Sequence, residues 1–327
     1  MAKKKIIFRS DAGINIGYGH FVRSLALAQM LKNDFDCAFA TRLPSEYQKN
    51  EISNICRLIQ LNSEETKFED FINLLSGEEI VVLDNYFFST DYQRNIKEKG
   101  CKLVCIDDIH DKHYVADVVI NHGLDNPKLF SIEPYTKLCL GLDWALLRKP
   151  FIDAAQRCSN INNNMIERVV VNFGGVDYNN LTTQVIESLK GLTSITRIDA
   201  IVGDGFLFSK DNLNKDMIFL HRNISAEKIV SIFKSCDAAI LSASTVCIEA
   251  LACGTKIAAG YYVDNQIEFY QYLKKSNYIY GLGDLLKKNN VDDIPYVVSS
   301  MNRNDLPCRT NSIKTLCCRY INLFSQL

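Results

Sequence analysis

Short apolar segments alternate with longer amphipathic segments along most of the chain. The short segments are rich in Val, Ile and Ala and carry few polar residues, which predicts strands that are covered on both faces. Strand–helix alternation of this kind predicts an α/β fold built on parallel, doubly wound sheets. The expected strands are residues 5–9, 37–41, 80–83, 103–106, 118–121 and 138–141 in the first half, and 169–173, 198–202, 217–220, 238–241 and 256–260 in the second.

Helical periodicity is clearest in the second half. Leu181, Val185 and Leu189 recur every four residues, and residues 246–253 favour a helix that Gly254 ends in the position of a C-cap. A last helix is expected over residues 309–324.

The alternation is interrupted once, between Leu147 and Ile166. Pro150 ends the preceding element, and the asparagine-rich segment 159–164 cannot contribute to a core. We therefore predict two Rossmann-like domains, residues 1–149 and residues 150–327, that face each other across a cleft. The last helix either stays with the second domain or returns to the first.

Composition narrows the range of functions. The 327 residues carry 37 basic and 38 acidic side chains, and a net charge of −1 argues against a non-specific binder of nucleic acid or anionic membranes. The most apolar stretch, residues 238–263, is interrupted by Glu249 and Lys256, so no membrane span is expected. The N-terminus lacks the apolar segment of a signal peptide. We expect a cytoplasmic monomer that acts on a small molecule, with no nucleic-acid partner.

Signatures of metals and cofactors are absent from the sequence. The 12 cysteines include no C-x-x-C pair, and most lie in apolar runs, which predicts reduced thiols that serve as small hydrophobic residues. There is no P-loop motif, and the spacing of Gly13, Gly17 and Gly19 does not fit a dinucleotide-binding motif. We expect neither a metal nor a cofactor.

Polar residues collect where the predicted strands end, which is the edge at which open parallel sheets bind ligands. In the first half these are Arg9, Ser10 and Asp11, then Asp84, Asn85 and Tyr86, then Asp107 and Asp108. In the second half they are Gly174, Gly175 and Asp177, then Ser242, Ser244 and Thr245, then Asp264, Asn265 and Gln266. Such clusters on the same edge of each sheet predict a ligand cleft between the two domains.

The clusters in the second half favour a nucleoside diphosphate as the ligand. Gly174 and Gly175 precede a helix, so backbone N–H groups and the helix dipole can meet an anion. Ser244 and Thr245 begin the next helix and offer hydroxyl groups, with ordinary N-capping as the alternative. Glu249, one turn later in an apolar helix, either accepts two hydrogen bonds from a ribose diol or faces solvent.

His20 is the candidate base. It begins a helix directly after Gly17 and Gly19, and the helix N-terminus favours the neutral ring that accepts a proton near pH 7. A nucleoside diphosphate is a good leaving group, so one base that activates water or an acceptor hydroxyl could suffice. The remaining histidines, which we expect to be solvated or hydrogen-bonded locally, are His110, His113, His122 and His221.

Several motifs occur in the order that is typical of one enzyme family. They are Phe8-Arg9-Ser10-Asp11, Ile16-Gly17-Tyr18-Gly19-His20 with Arg23, Asp84-Asn85-Tyr86, Ile106-Asp107-Asp108, Ala145-Leu146-Leu147-Arg148 with Phe151, Phe173-Gly174-Gly175-Val176-Asp177 with Asn180-Leu181, residues 242–249, and Asp264-Asn265-Gln266. Together they resemble the UDP-2,4-diacetamido-2,4,6-trideoxy-β-L-altropyranose hydrolases of pseudaminic acid biosynthesis. The motifs of the second half are also similar to the wider GT-B group, which includes the lipid-II-forming N-acetylglucosaminyltransferase.

The resemblance implies a GT-B fold whose C-terminal domain holds UDP, and a metal-independent, inverting hydrolysis that frees UDP and the 2,4-diacetamido sugar. It implies His20 as the base, Asp11 and Tyr86 beside the sugar, and Glu249 on the ribose. The other substrate-binding residues that it implies are Arg9, Gly17, Gly19, Arg23, Asp84 and Asn85 in the first half, and Gly174, Gly175, Asp177, Asn180, Ser242, Ser244, Thr245, Asn265 and Gln266 in the second.

The chain departs from the family pattern at three positions. Asn85 stands where the family usually has His, Ile248 where a Trp precedes the ribose Glu, and Val176 where the Gly-Gly loop has Ser or Thr. Because Asn85 would lie beside the sugar, these changes bear on which sugar is bound. Two other functions fit the same motifs: a GT-B glycosyltransferase with a UDP-sugar donor, and a nucleotide-sugar-binding protein without turnover.

Overall fold

The computed structural model describes residues 3–13, 16–62, 64–157, 165–175, 177, 179–203, 206, 217–301 and 311–327. Contacts divide the chain into two compact units, the first being Met1–Lys149 with Thr315–Leu327 and the second Pro150–Lys314. Segment 159–164, Val176 and residues 309 and 310 of the predicted last helix lie outside the described residues. Within the described part of the chain, no helix combines the length and apolar character needed to cross a membrane.

The first unit is a parallel sheet flanked by helices. Its strands are β1 (Lys5–Arg9), β2 (Asp36–Arg42), β3 (Arg57–Leu61), β4 (Ile80–Leu83), β5 (Lys102–Ile106), β6 (His113–Tyr114), β7 (Val118–Asn121), β8 (Ser131–Ile132) and β9 (Lys137–Leu140). Its helices are α1 (Gly19–Leu31), α2 (Glu46–Ser53), α3 (Lys67–Asn73) and α4 (Thr90–Glu98). The main sheet has the order β3-β2-β1-β4-β5-β7-β9, and β6 pairs separately with β8.

The second unit repeats this plan. Its strands are β10 (Arg168–Asn172), β11 (Arg197–Val202), β12 (Ile218–Arg222), β13 (Ala238–Ser242), β14 (Lys256–Tyr261) and β15 (Tyr280–Asp284), in the order β12-β11-β10-β13-β14-β15. Its helices are α5 (Lys149–Gln156, which begins at the last residue of the first unit), α6 (Leu181–Leu189), α7 (Ala226–Ser235), α8 (Thr245–Cys253), α9 (Ile267–Lys275), α10 (Lys288–Asp292), α11 (Ile294–Met301) and α12 (Asn311–Lys314).

Both sheets have a point at which the strand order reverses. All strand pairs of the two main sheets are parallel, and the order reverses beside β1, between β1 and β4, and beside β10, between β10 and β13. Ligands of doubly wound sheets bind outside the carboxyl ends of the strands at such points. A ligand site is therefore expected at the loops that follow β1, β4, β10 and β13.

The chain ends in helix α13 (Leu316–Ser325), which packs on α1 in the first unit. Tyr320 is fully buried there, its ring lies edge-on to Trp144, and its hydroxyl donates to the Trp144 carbonyl at 2.6 Å. Phe324 contacts Phe35 with ring centroids 6.2 Å apart. Aromatic contacts thus attach the end of the chain to the first unit.

The apolar runs predicted every interior strand of the two main sheets and two of their four edge strands, β9 and β12. Each expected strand is present within two residues of its predicted ends, and Gly254 ends α8 with φ +78° in the left-handed region. The two-residue strands β6 and β8 were not predicted. Nor were the edge strands β3 and β15, which are only partly buried and are interrupted by polar residues or glycines. Their residues therefore lack the continuous apolar character of a strand covered on both faces.

Candidate functional site

A glycine turn leads from β1 into α1. Gly17 has φ +80° and its N–H donates to the Gly13 carbonyl at 2.8 Å, so the chain reverses before the helix begins at Gly19. Tyr18 at the N-cap makes no side-chain capping bond, and the first turn contains no acidic residue. The first backbone N–H groups at the exposed start of α1 therefore have no cap from the Tyr18 side chain.

His20 and Asp84 form a buried hydrogen-bonded pair across the switch point. His20 Nδ1 lies 2.7 Å from Asp84 Oδ1, and the two residues are 7% and 0% exposed. Burial would raise the pKa of Asp84, but Arg23 and His20 lower it below its usual value, so the carboxylate is ionised and can only accept. His20 Nδ1 also lies 3.0 Å from Arg23 Nη2, but the shorter contact with the Asp84 carboxylate favours a proton on Nδ1. This tautomer leaves Nε2 as the ring nitrogen that can accept a proton.

Arg23 joins two carboxylates from neighbouring strand ends. Its Nε donates to Asp84 Oδ2 at 2.7 Å, and its Nη1 donates to Asp108 Oδ1 at 2.5 Å. Ser24 Oγ also donates to Asp84 Oδ2, at 2.8 Å. Burial opposes the charge on Arg23, yet the two carboxylates raise its pKa well above the ordinary value. Asp84 thus orients His20 while Arg23 and Ser24 hold Asp84 in place.

Tyr86 lies directly against His20. The two rings meet edge-on with centroids 4.6 Å apart, and the Tyr86 hydroxyl donates to Asp108 Oδ2 at 3.1 Å. Burial would raise the pKa of Asp108, but the charge of Arg23 lowers it to about 2. Burial, and after it the charge of Arg23, lowers the pKa of His122 to about 4, so His122 is neutral at pH 7.

Asp11 and Asn85 tie the ends of β1, β2 and β4 together. The Asp11 carboxylate binds Arg9 in a bidentate pair at 2.5 and 2.9 Å and accepts the Arg42 N–H at 2.8 Å. Asn85 Oδ1 accepts the Asp11 N–H at 2.7 Å, and Asn85 Nδ2 donates to the Asp11 carbonyl at 3.2 Å. Arg9, Asp11 and Asn85 are all buried, so direct roles for them on a sugar stay predictions.

In the second unit, the glycine loop after β10 is closely packed. Gly174 has φ +89°, and a Cβ on Gly203 would lie only 2.1 Å from the Gly175 carbonyl oxygen, so neighbouring backbones need glycine to approach. Asp177 accepts the N–H groups of Leu181 and Thr182 at 2.9 and 2.7 Å, and thereby caps α6. Those N–H groups are occupied within the protein.

The start of α8 is arranged differently. Ser244 occupies its N-cap but makes no side-chain capping bond, and its hydroxyl lies 3.2 Å from that of Ser242. No acidic residue lies in the first turn, so N–H groups and the helix dipole remain for an anion. Glu249 is half-buried and follows Thr245 by four residues, which places both on one face of α8.

Asn265 and Gln266 lie in a short 3₁₀ turn, Asp264–Gln266, between β14 and α9. Gln266 Oε1 accepts the Tyr262 N–H at 3.1 Å, and the Tyr262 hydroxyl donates to the Phe173 carbonyl at 2.9 Å. These contacts hold the turn near the glycine loop after β10. Asn180, which precedes α6 with φ +52°, accepts a hydrogen bond from Thr183 Oγ1 at 2.6 Å.

Each unit therefore collects its predicted residues at one sheet edge. Three participants were missed as site residues: Ser24, Asp108 and His122. The sequence places Asp108 at a strand end without a site role, and His122, expected to be solvated or locally bonded, is only 6% exposed. Among the described residues, no three His, Cys, Asp or Glu side chains converge as a metal site would require.

Comparisons with known proteins identify the fold of the chain. No protein-family model matches the chain. Its fold matches MurG of Acinetobacter baumannii (TM-score 0.64, 10% identity, 99% of this chain and 100% of that one) and the calicheamicin glycosyltransferase CalG4 (TM-score 0.65, 9% identity, 100% and 98%). At such low identity these matches show the fold alone, which is GT-B as expected.

Two curated relatives align over most of the chain. An uncharacterized protein of Methanocaldococcus jannaschii is 27% identical over 288 residues, which are 83% of this chain and 58% of that protein, so this chain spans little more than half of that relative. The UDP-2,4-diacetamido-2,4,6-trideoxy-β-L-altropyranose hydrolase of Campylobacter jejuni is 30% identical over 286 residues, 84% of this chain and 97% of that protein. The chain belongs to the family of this hydrolase.

Proposed function

We propose that the protein hydrolyses a UDP-activated 2,4-diacetamido-2,4,6-trideoxy hexose to the free sugar and UDP, with inversion, in the biosynthesis of a pseudaminic-type nonulosonic acid. The name of the Campylobacter jejuni relative supports the substrate class. The contact of 2.7 Å between His20 Nδ1 and Asp84 carries the chemistry, because it leaves Nε2 as a base.

The reaction needs one proton acceptor and one stabilised leaving group. His20 Nε2 takes a proton from water as the water oxygen attacks the anomeric carbon. The bond from that carbon to the UDP oxygen breaks at the same time, and UDP leaves with the bonding electrons. Asp84 holds the ring orientation and stabilises the imidazolium that forms, a role that its buried, paired oxygens suit.

We assign the binding of UDP to the second unit. The uncapped start of α8 supplies N–H groups for the departing diphosphate, and no Lys or Arg lies in its first turn. Glu249 is proposed to accept the ribose hydroxyls, with Ser242, Ser244 and Thr245 near the phosphates. Because Asp177 occupies two N–H groups at the start of α6, we place the diphosphate at α8 rather than at α6.

A glycosyltransferase with the same base is the second candidate, since the structural neighbours include glycosyltransferases. An acceptor hydroxyl would then replace water. UDP release that requires an added acceptor would favour this candidate. UDP binding without any turnover would leave a nucleotide-sugar-binding protein.

The test uses the UDP-2,4-diacetamido sugar in ¹⁸O-labelled water without an acceptor. We expect UDP release, one ¹⁸O atom at the anomeric position of the sugar, and a first-formed anomer opposite to that of the substrate by NMR. EDTA should leave the rate unchanged. Release without ¹⁸O in the sugar, or a first-formed anomer that keeps the configuration of the substrate, would contradict the proposal.

A further inference from the structure

Tyr86 is held at three points although 45% of it is exposed. Its ring contacts His20, its hydroxyl donates to Asp108, and its backbone carbonyl accepts from Lys112 Nζ at 2.8 Å. A half-exposed tyrosine that only covered the surface would not need three such contacts. The arrangement fixes where the phenol oxygen lies and how its proton points.

Asp108 and Lys112 both belong to the turn that follows β5. Its neighbour Asp107 shapes this turn by accepting the Ile109 N–H at 3.2 Å and the His110 N–H at 2.9 Å. Asp107 also accepts the Tyr114 hydroxyl at 2.5 Å, so its carboxylate is occupied on the interior side. The two adjacent aspartates therefore have different partners: Asp107 binds backbone N–H groups of the turn, and Asp108 binds Tyr86 and Arg23.

The direction of the bond between Tyr86 and Asp108 follows from the charge of Asp108. The Arg23 guanidinium lies 2.5 Å from Asp108 Oδ1 and keeps this carboxyl group ionised, with its pKa lowered to about 2. A carboxylate can only accept, so Tyr86 must donate its proton to Asp108 Oδ2. The lone pairs of the phenol oxygen then remain for a donor outside the protein.

We propose that Asp108 is a positioning residue: it receives the Tyr86 proton and so fixes the phenol oxygen, beside the His20 ring, as an acceptor for an N–H or O–H group of the substrate. This inference rests on the proposed function. Acetamido N–H groups and sugar hydroxyls are both donors of the required kind. Without Asp108, the hydroxyl rotates and the same oxygen can donate instead.

A second route from Asp108 to His20 must be separated from this one. Asp108 also pairs with Arg23. Arg23 in turn binds Asp84, and Asp84 binds His20. If Asp108 acted only through Arg23, its loss would matter equally whether or not the Tyr86 hydroxyl is present. A double-mutant cycle therefore distinguishes the two routes.

The test compares Asp108→Asn, Tyr86→Phe and the double variant for kcat and KM of UDP release. We expect each single variant to lower kcat/KM about tenfold, and the double variant to lie within about twofold of Tyr86→Phe. Asp91→Asn, an exposed aspartate that pairs only with Arg94 among its described contacts, is the matched control and should behave as wild type. If the loss of kcat/KM in the double variant equalled the product of the two single losses, the proposal would be overturned.

A second readout does not depend on turnover. The ¹³Cζ NMR signal of Tyr86, assigned by its loss in Tyr86→Phe, should shift in Asp108→Asn and begin to titrate at a lower pH. The reason is that burial, and after it the Asp108 charge, raises the pKa of Tyr86. An unchanged signal would overturn the inference. If wild type released no UDP while this signal shifted as expected, the proposed function would fail and the contact would stand.

Discussion

The two units carry different groups at the corresponding edge of their sheets, where the strands end. At the switch point of the first unit, charged side chains bind one another: Arg23 lies between Asp84 and Asp108, and Asp84 also binds His20. At the switch point of the second unit, the chain offers glycines, hydroxyl groups and the uncapped start of α8. One edge holds His20 in one orientation, and the other leaves the start of a helix without a side-chain cap.

Under the proposed function, this difference accounts for diphosphate binding by a protein with a net charge of −1. Backbone N–H groups and a helix dipole attract phosphate without any excess of Lys and Arg. The charged side chains of the first unit bind one another, and they orient His20 instead of binding an anion. The comparison predicts that changes in the first unit affect catalysis and stability, whereas changes at α8 affect UDP affinity.

The largest effect is expected from Asp84→Asn. The change removes a buried carboxylate from Arg23 and can reverse the His20 tautomer, so UDP release should fall roughly 10³-fold. The loss of a buried partner should also cost about 3 kcal/mol of unfolding free energy. Urea unfolding followed by Trp144, the single tryptophan of the chain, reports on the first unit. Activity close to wild type would show that Asp84 does not orient the base.

His122 should make the first unit sensitive to mild acid. Its pKa lies at about 4 in the folded protein against an ordinary value of 6.5, so between these values the unfolded chain binds a proton that the folded chain does not. Stability therefore falls as the pH drops from 6.5 to 4, by roughly 3 kcal/mol. His122→Gln should flatten this dependence in urea titrations read at Trp144. If the stability of the variant fell equally steeply with pH, His122 would not be the group responsible.

Ser244→Asp should separate affinity from stability in the second unit. A carboxylate at this N-cap can bond to the first turn of α8 and stabilise the helix by about 1 kcal/mol. The same charge would repel the diphosphate, and UDP affinity measured by calorimetry should fall about tenfold or more. Ser225→Asp, at the N-cap of α7, is the matched control and should leave UDP affinity unchanged. If both variants bound UDP equally well, the diphosphate would not bind at the start of α8.

Asn85→His should have the smallest effect of the four. Asn85 both accepts from and donates to the Asp11 peptide, and a single imidazole cannot make both bonds. A cavity of about 20 Å³ beside Asn85 gives the larger ring some room. We expect the free energy of unfolding, measured in urea with Trp144 as the probe, to fall by about 1 kcal/mol. The rate of UDP release should stay within a few-fold of wild type. A stability gain would show that the family histidine fits this loop better than asparagine.

The sequence predicted the strands and their polar ends but not the pairing of those ends. His20 and Asp84 are 64 positions apart, and their contact depends on β4 lying beside β1 rather than beside β3. Strand order is set by tertiary packing, which a local pattern of hydrophobic residues does not encode. For the same reason, Asp108 was visible at a strand end while its bonds to Arg23 and Tyr86 were not.

Capping was also hard to predict. Ser244, for which N-capping was the alternative to ligand binding, makes no side-chain capping bond, whereas Asp177, expected to bind substrate, caps α6. Both residue types suit either role, since each can accept from an N–H group or face a ligand. Only the backbone path of each loop decides the outcome. Strand β3 was missed for a different reason, since Arg57 and Gln60 interrupt its apolar residues.

The most direct test of the account compares UDP release by wild type, His20→Ala and His113→Ala with the UDP-2,4-diacetamido sugar. His113 is a surface histidine whose ring contacts Ser131 and Glu133, and its loss should leave the rate unchanged. We expect His20→Ala to lower kcat about 10²- to 10⁴-fold, because the reaction loses its base. A rate for His20→Ala within about twofold of wild type would contradict the central claim.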